Sequence, residues 1–511
     1  MTALITLLAL LTAPEAGEQA VVFRADFDAP NALEEWTGQP GELAVGHEGT
    51  PSLMIENHDG ARSSMQQVDV PVDRIAGRLI ALRAVVKAEN VSEPPNSWNG
   101  IKVMLILDTP DGKQYPQLEL PVGTFDWLPA LRALRVPRDT TKATLCLGLE
   151  KATGAAWFDT IEIRVGRIAD GGRRSEAPFK GHDLPRLRGV MHGPRFVEKD
   201  LRDLAVTWGA NQVRWQLNWT PMKKAEDAAQ DLDAYDAWLD GALSECDKAL
   251  DACEKFGLMA LVDLHTPPGG RAGLGVCRMF AEQHYQDKLV EVWDRIARRY
   301  KGRPAVYAYD LLNEPVEGRV AEGLLNWRDL ATKVTKTIRA VDPGKPVVFE
   351  PGPWGSPDGF DTTTPLDLDR VIYSFHMYRP HAFTHQGVHG ASTGLVYPGI
   401  MGRLRWDKER LREAMMPAID FQRTFNVHLY VGEFSAIRWA PDNSAHRYLR
   451  DVIDLLEEYG WDWSYHAFRE WDGWSVEHGP DPDDHAPSTT PTDRQKLLCD
   501  WFAKNEKPTQ Q

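Results

Sequence analysis

Between residues 187 and 503 the chain repeats one unit: a short apolar run followed by a longer stretch with apolar residues at helical spacing. The runs fall at 187–191, 212–217, 258–264, 306–312, 346–350, 371–375, 427–432 and 463–468. Helices are predicted over 234–256, 285–300, 322–341, 407–424, 444–459 and 492–503. In 285–300, Leu289, Val292, Trp293, Ile296 and Tyr300 share a face, and Gly302 and Pro304 close the stretch. Eight strands alternating with helices predict a closed (β/α)8 TIM barrel over 187–506. An open doubly wound sheet would carry a Gly-rich nucleotide loop after its first strand, and Leu187-Arg188-Gly189-Val190-Met191-His192-Gly193 is not one.

The chain ahead of the repeat reads differently. From 21 to 168 short alternating strands are separated by turn signals, with no helical periodicity, as in an antiparallel β-sandwich of the jelly-roll type. Residues 169–186 include the polar, Gly-rich Gly171-Gly172-Arg173-Arg174-Ser175 and read as a linker. Residues 1–20 hold an apolar run, Ala3 to Thr12, of signal-peptide length, without an N-terminal Lys or Arg. Export of a soluble protein is the expectation, because no later stretch is long and apolar enough for a membrane helix. The 5 cysteines form neither a disulfide framework nor a metal spacing.

Charge narrows the partners. Acidic residues outnumber basic ones by 74 to 58, a formal net charge of −16, which argues against a nucleic-acid partner. A neutral, polyhydroxylated substrate is compatible with that balance. The 18 tryptophans outnumber both phenylalanine and tyrosine, and indoles stack on sugar faces as well as filling cores.

A barrel places its working groups at strand C-terminal ends. Those ends offer Arg214, Asp263 with His265, Asn313 with Glu314, Glu350, His376 with Tyr378, Glu433, and the Arg469-Glu470-Trp471 region with Trp474. The motifs Val213-Arg214, Val262-Asp263-Leu264-His265, Leu312-Asn313-Glu314-Pro315, His376-Met377-Tyr378 and Val431-Gly432-Glu433-Phe434 occur in order on successive strands. Together they resemble glycoside hydrolase family 5, which includes many cellulases and mannanases.

That resemblance implies a general acid/base at Glu314, a nucleophile at Glu433, and a 2-hydroxyl contact at Asn313. It also implies an orienting Arg214 and a sugar subsite lined by His265, His376 and Tyr378. The family's aromatic floor at the last strand falls on Trp471, with His466 and Trp474 as the other candidates. Phe27-Asp28 and the ending Trp157-Phe158-Asp159-Thr160-Ile161-Glu162-Ile163 resemble jelly-roll carbohydrate-binding modules, which implies a structural calcium near Asp26, Asp28 and Asp159. Otherwise no cofactor and no metal are expected.

Two motifs point elsewhere. Gly390-Ala391-Ser392-Thr393-Gly394 matches a serine-hydrolase elbow but lacks an apolar strand before it. His376, His381, His385 and His389 lie close in sequence and raise a zinc site, but the Pro and Gly content of the stretch reads as a rim loop. The expectation is a secreted, monomeric, retaining endo-β-1,4-glucanase acting on a β-linked polysaccharide or oligosaccharide. A β-mannanase and a non-catalytic carbohydrate-binding protein are the alternatives.

Overall fold

The computed structural model describes residues 20–508 except 30, 40, 97, 111, 119, 166–180, 222–225, 319, 362 and 403. The expected leader, apart from Ala20, and the linker through residue 180 lie outside the described residues. The chain divides at Asp170 into two compact units.

In the first unit two antiparallel sheets carry the core. One orders Glu42–Val45, Pro51–Asn57, Gly154–Val165, Leu79–Val91 and Gly123–Arg135, with Ala20–Ala25 also paired to Gly154–Val165. The other orders Thr37–Gly38, Ser63–Val70, Lys142–Glu150, Gly100–Thr109 and Gly112–Gln114. Leu79–Val91 shows why: Ile80, Leu82, Ala84, Val86 and Ala88 are buried while the residues between them are half-buried, the period of a strand with one face on a core. The calcium expected at Asp26, Asp28 and Asp159 is not supported by this arrangement. Among the described residues these acids do not converge. Asp26 pairs with Arg24, and Asp159 Oδ2 accepts the His47 N–H at 2.9 Å.

The second unit is a closed barrel of parallel strands. They are β1 (Arg188–His192), β2 (Gln212–Leu217), β3 (Met259–Leu264), β4 (Val306–Asp310), β5 (Val347–Phe349), β6 (Val371–Met377), β7 (His428–Phe434) and β8 (Asp462–Phe468). Each matches an expected strand. Two helices differ from expectation. Asn326 caps Trp327–Val341 by accepting the Asp329 N–H, so residues 322–326 stay outside it. The expected 407–424 helix is two, Lys408–Ala414 and Met416–Phe425, because Pro417 has no N–H to continue the first and suits the first turn of the second.

Along β2 every residue is buried, yet the two faces differ. Val213, Trp215 and Leu217 join the layer between strands and helices, while Arg214 turns into the barrel. Trp293, on the helix Gln283–Tyr300, donates its indole N–H to the Leu311 carbonyl at 3.0 Å and so fixes the chain as it leaves β4.

The barrel's packing starts before residue 187. His182 Nε2 lies 2.8 Å and His428 Nε2 2.9 Å from Asp462 Oδ2, and the Leu187 N–H donates to Asp462 Oδ1 at 2.8 Å. Gly181 is pressed against Ile372, where a Cβ would come within 2.3 Å of Cγ1. Residues 181–186 are therefore part of the barrel unit and not linker. Among the described residues no helix is long and apolar enough to cross a membrane.

Trp293→Ala removes a fully buried ring and its hydrogen bond. It should cost about 3–5 kcal/mol in the barrel's unfolding transition, measured by urea denaturation.

Candidate active site

Arg214 stands at the centre of the barrel mouth with no solvent exposure. Its Nε donates to Asp310 Oδ2 at 3.0 Å, Nη1 to Glu433 Oε1 at 2.8 Å, and Nη2 to Glu350 Oε1 and Asn313 Oδ1, both at 3.0 Å. Asp263 Oδ1 lies 3.2 Å from Nη2. One guanidinium thus ties together acids from β3, β4, β7 and the end of β5. Burial opposes its charge, but the four acids hold its proton well above the usual arginine range. Asp310 is the deepest of them. Burial pushes its carboxyl well up; Arg214 pulls it back, while Glu350 and Asp263 push with the burial.

The β4 end turns outward through Asn313 and Glu314. Asn313 Nδ2 meets His265 Nε2 at 3.1 Å, and His265 Nδ1 lies 2.8 Å from Asp263 Oδ2. The carboxylate can only accept, so His265 carries its hydrogen on Nδ1 and accepts from Asn313 on Nε2. Glu314 has φ +47°, outside the range a non-glycine side chain prefers. Three contacts hold it there. Its N–H donates to Glu350 Oε2 at 2.8 Å, and Arg271 donates to the carbonyls of Asn313 and Glu314 at 2.8 and 2.9 Å. The half-buried Glu314 carboxyl lies 2.9 Å from His376 Nδ1.

Glu433 is the better buried acid, at 4% exposure. A register shift between β6 and β7 sets His376 opposite it. Its Oε2 accepts the Tyr378 O–H at 2.8 Å and lies 3.1 Å from His466 Nδ1. Burial alone would raise the Glu433 carboxyl; His376, His466 and Arg214 overrule it and hold the group well below the usual carboxylate range. Burial would lower His376, yet Glu350, Glu433 and Glu314 hold its imidazole well above the usual histidine range.

Across this floor one carboxylate oxygen of Glu314, a ring nitrogen of His376 and one carboxylate oxygen of Glu433 all lie within 4.8 Å of one another. One acid faces the open cleft and the other is buried and charged. Such a pair can protonate a leaving oxygen from one side while a carboxylate attacks carbon from the other. A family model described as cellulase (glycosyl hydrolase family 5) matches residues 174–471, more than half of the chain.

The chain belongs to glycosyl hydrolase family 5.

It is a cellulase-like glycoside hydrolase, acting on O-glycosyl bonds. Endoglucanase C of Acetivibrio thermocellus is 29% identical over 304 residues, covering 54% of this chain and 85% of its own length. Cellodextrinase A of Ruminococcus flavefaciens is 25% identical over 274 residues, covering 52% of this chain and 75% of its own. A crystal structure described as a glycoside hydrolase, 23% identical, shares the fold with a TM-score of 0.50 over 62% of this chain and 99% of that one.

In this family-5 mouth Arg214, His265, Asn313, Glu314, His376, Tyr378 and Glu433 come together, as the motifs led one to expect. Trp471 does not take the floor position at the end of β8. That position belongs to His466, while Trp471 lies beyond the strand, 39% exposed and edge-on to Trp474 with ring centroids 5.2 Å apart. Trp474 itself stacks on Tyr378 at 5.6 Å. Sequence reasoning also missed Asp310 as a partner of Arg214, and Arg271, which sits in the loop after β3 without a motif around it. The polar Asp310 inside an apolar run was the one available signal. Of the two stray motifs, Ser392 sits exposed in coil, and His381 and His385 stack on each other at 3.7 Å.

Arg214→Lys keeps the charge but loses the planar fork. An ammonium cannot reach all four acids, so less positive charge faces Glu433 and its carboxyl titrates at higher pH. The acid limb of the pH–activity profile should move upward, and kcat/KM should fall on the order of 10²-fold, read from initial rates across pH.

Proposed function

We propose that the protein is a retaining endo-β-1,4-glucanase that works outside the cytoplasm by double displacement. The observation that carries this reading is the approach of Glu314 and Glu433 oxygens to within 4.8 Å. Retaining enzymes hold their carboxyls about 5–5.5 Å apart, and inverting ones leave room for a water at about 6.5–9.5 Å.

In the first step Glu433 attacks the anomeric carbon and Glu314 protonates the departing oxygen. In the second step Glu314 takes a proton from water as that water displaces Glu433. Asn313, fixed by Arg214 and His265, faces the sugar's 2-hydroxyl. His265, His376 and Tyr378 line the subsite.

Two further features favour a glucan chain and internal cleavage. The relatives above carry the names endoglucanase and cellodextrinase. Trp354 after β5 and Trp471 after β8 are 45% and 39% exposed, which leaves flat apolar faces on which sugars can stack. A polymer of that size cannot enter a cell intact, which fits the apolar run at Ala3 to Thr12 as an export signal. The N-terminal sandwich would then hold the enzyme near its polymer.

The test is reducing-end release from soluble β-1,4-glucan and from β-mannan, with proton NMR of the first product. The reading expects faster release from glucan, a β-anomer at early times, and a loss on the order of 10³-fold or more in Glu433→Gln. An α-anomer would end the retaining mechanism, faster mannan cleavage would replace the substrate, and undiminished Glu433→Gln activity would remove the nucleophile.

A further inference from the structure

His466, two residues before the end of β8, lies between groups from three other parts of the mouth. Its Nδ1 lies 3.1 Å from Glu433 Oε2 and beside the Tyr378 hydroxyl. Its Nε2 lies 3.6 Å from Glu470 Oε2, and Glu470 accepts a hydrogen bond from Gln216 Nε2 at 2.8 Å. Trp474 covers the ring with centroids 4.8 Å apart.

Hydrogen-bond direction sets the charge of this ring. The Tyr378 hydroxyl has one proton and gives it to Glu433. Its oxygen therefore accepts from His466, which puts a hydrogen on Nδ1. Nε2 lies at ion-pair distance from the Glu470 carboxylate, whose negative charge favours a proton on that nitrogen too. Both nitrogens protonated means an imidazolium.

We propose that His466 is a positioning residue for the nucleophile: an imidazolium clamped between Glu433 and Glu470 that orients the Glu433 carboxylate and stabilises it as it leaves the sugar. This rests on the reading of Glu433 as nucleophile. When the glycosyl ester is hydrolysed, water oxygen bonds to the anomeric carbon and the carbon–oxygen bond to Glu433 breaks. The electron pair stays on Glu433 as carboxylate, and the water's proton passes to Glu314. Negative charge thus returns on the side chain that His466 faces.

Glu470 explains how the ring keeps its proton in between. While Glu433 is esterified it is neutral, and the His466–Glu470 pair remains balanced. With Glu470 removed, the ring would be a lone cation in a desolvated mouth and would shed the proton.

The other charged or titratable groups here are Arg214 on the opposite Glu433 oxygen, His376 at 3.7 Å from Glu433, and His265, which faces Glu470. Burial lowers the His466 imidazole, but Glu433 and Glu470 outweigh it and carry it up to about 9. A group raised in this way is charged at neutral pH and loses its charge as pH rises through that value.

The test uses an aryl β-cellobioside whose dinitrophenolate leaves without a proton from Glu314, so Glu314's role as acid does not shape the profile. The wild-type kcat/KM, which reports the free enzyme, should fall on an alkaline limb near pH 9. His466→Gln should lower kcat on the order of 10²-fold and lack that limb, with an unchanged circular dichroism spectrum. Glu470→Gln, which leaves the ring in place, should move the limb to lower pH; this shift alone decides the matter if His466→Gln does not fold. A limb at the same pH in the wild type and Glu470→Gln, or one that persists in a folded His466→Gln, would overturn the proposal. Trapping with a 2-fluoro-cellobioside separates the two readings. A mass label on Glu433 with an unmoved limb sinks the role of His466 alone, whereas a label elsewhere takes the nucleophile and His466 down together.

Discussion

One guanidinium organises the mouth of the barrel. Arg214 is sealed from water, and its three nitrogens are shared among Asp263, Asp310, Glu350 and Glu433. Placing that many ionisable groups in a dry interior costs several kcal/mol for each ion, so the cluster is not there to stabilise the fold. What it supplies is position. Each acid comes from a different stave, and a shared rigid fork leaves each little choice of place. The raised His376 and His466 bring the buried charge back toward balance around Glu433.

The loops complete what the staves begin. Glu314 sits in a left-handed backbone conformation whose cost, on the order of 1–3 kcal/mol, is met by contacts from elsewhere. Arg271 grips the two carbonyls of the Asn313-Glu314 turn, and its guanidinium lies 5.4 Å from the Trp354 ring. The same arginine therefore links the turn that carries the half-buried Glu314 to the exposed Trp354 ring. Glu350 has a double duty: it accepts from Arg214 and from the Glu314 N–H, which couples the buried cluster to the turn.

Much of this was legible beforehand, for a physical reason. Parallel strands covered on both faces leave continuous short apolar runs, and the helices between them leave a 3.6-residue rhythm, so all eight staves could be located. The motif residues were readable because they sit within one or two positions of a strand's end, as Arg214, His265, Glu314 and Glu433 do. Trp471 was misplaced because indoles crowd the segment after β8, and local sequence does not say which side chain of the strand's last turn faces inward. His466 does, since β8 runs on to Phe468 and its alternation aims residue 466 at Glu433. The linker was drawn too long because His182 is held by Asp462 and His428, nearly the whole barrel away in sequence.

The sequence alone determined the class of architecture, the order of the strands and the kinds of groups available at the mouth, because those depend on local periodicity and on which residue follows each apolar run. Tertiary structure decided charge and pairing: which acid is pushed up by burial, which is forced to stay ionised, and which histidine is raised by its acidic neighbours. Those outcomes depend on desolvation and on distances of a few ångströms between residues hundreds of positions apart, such as Arg214 and Glu433, which appear only when the sheet closes on itself.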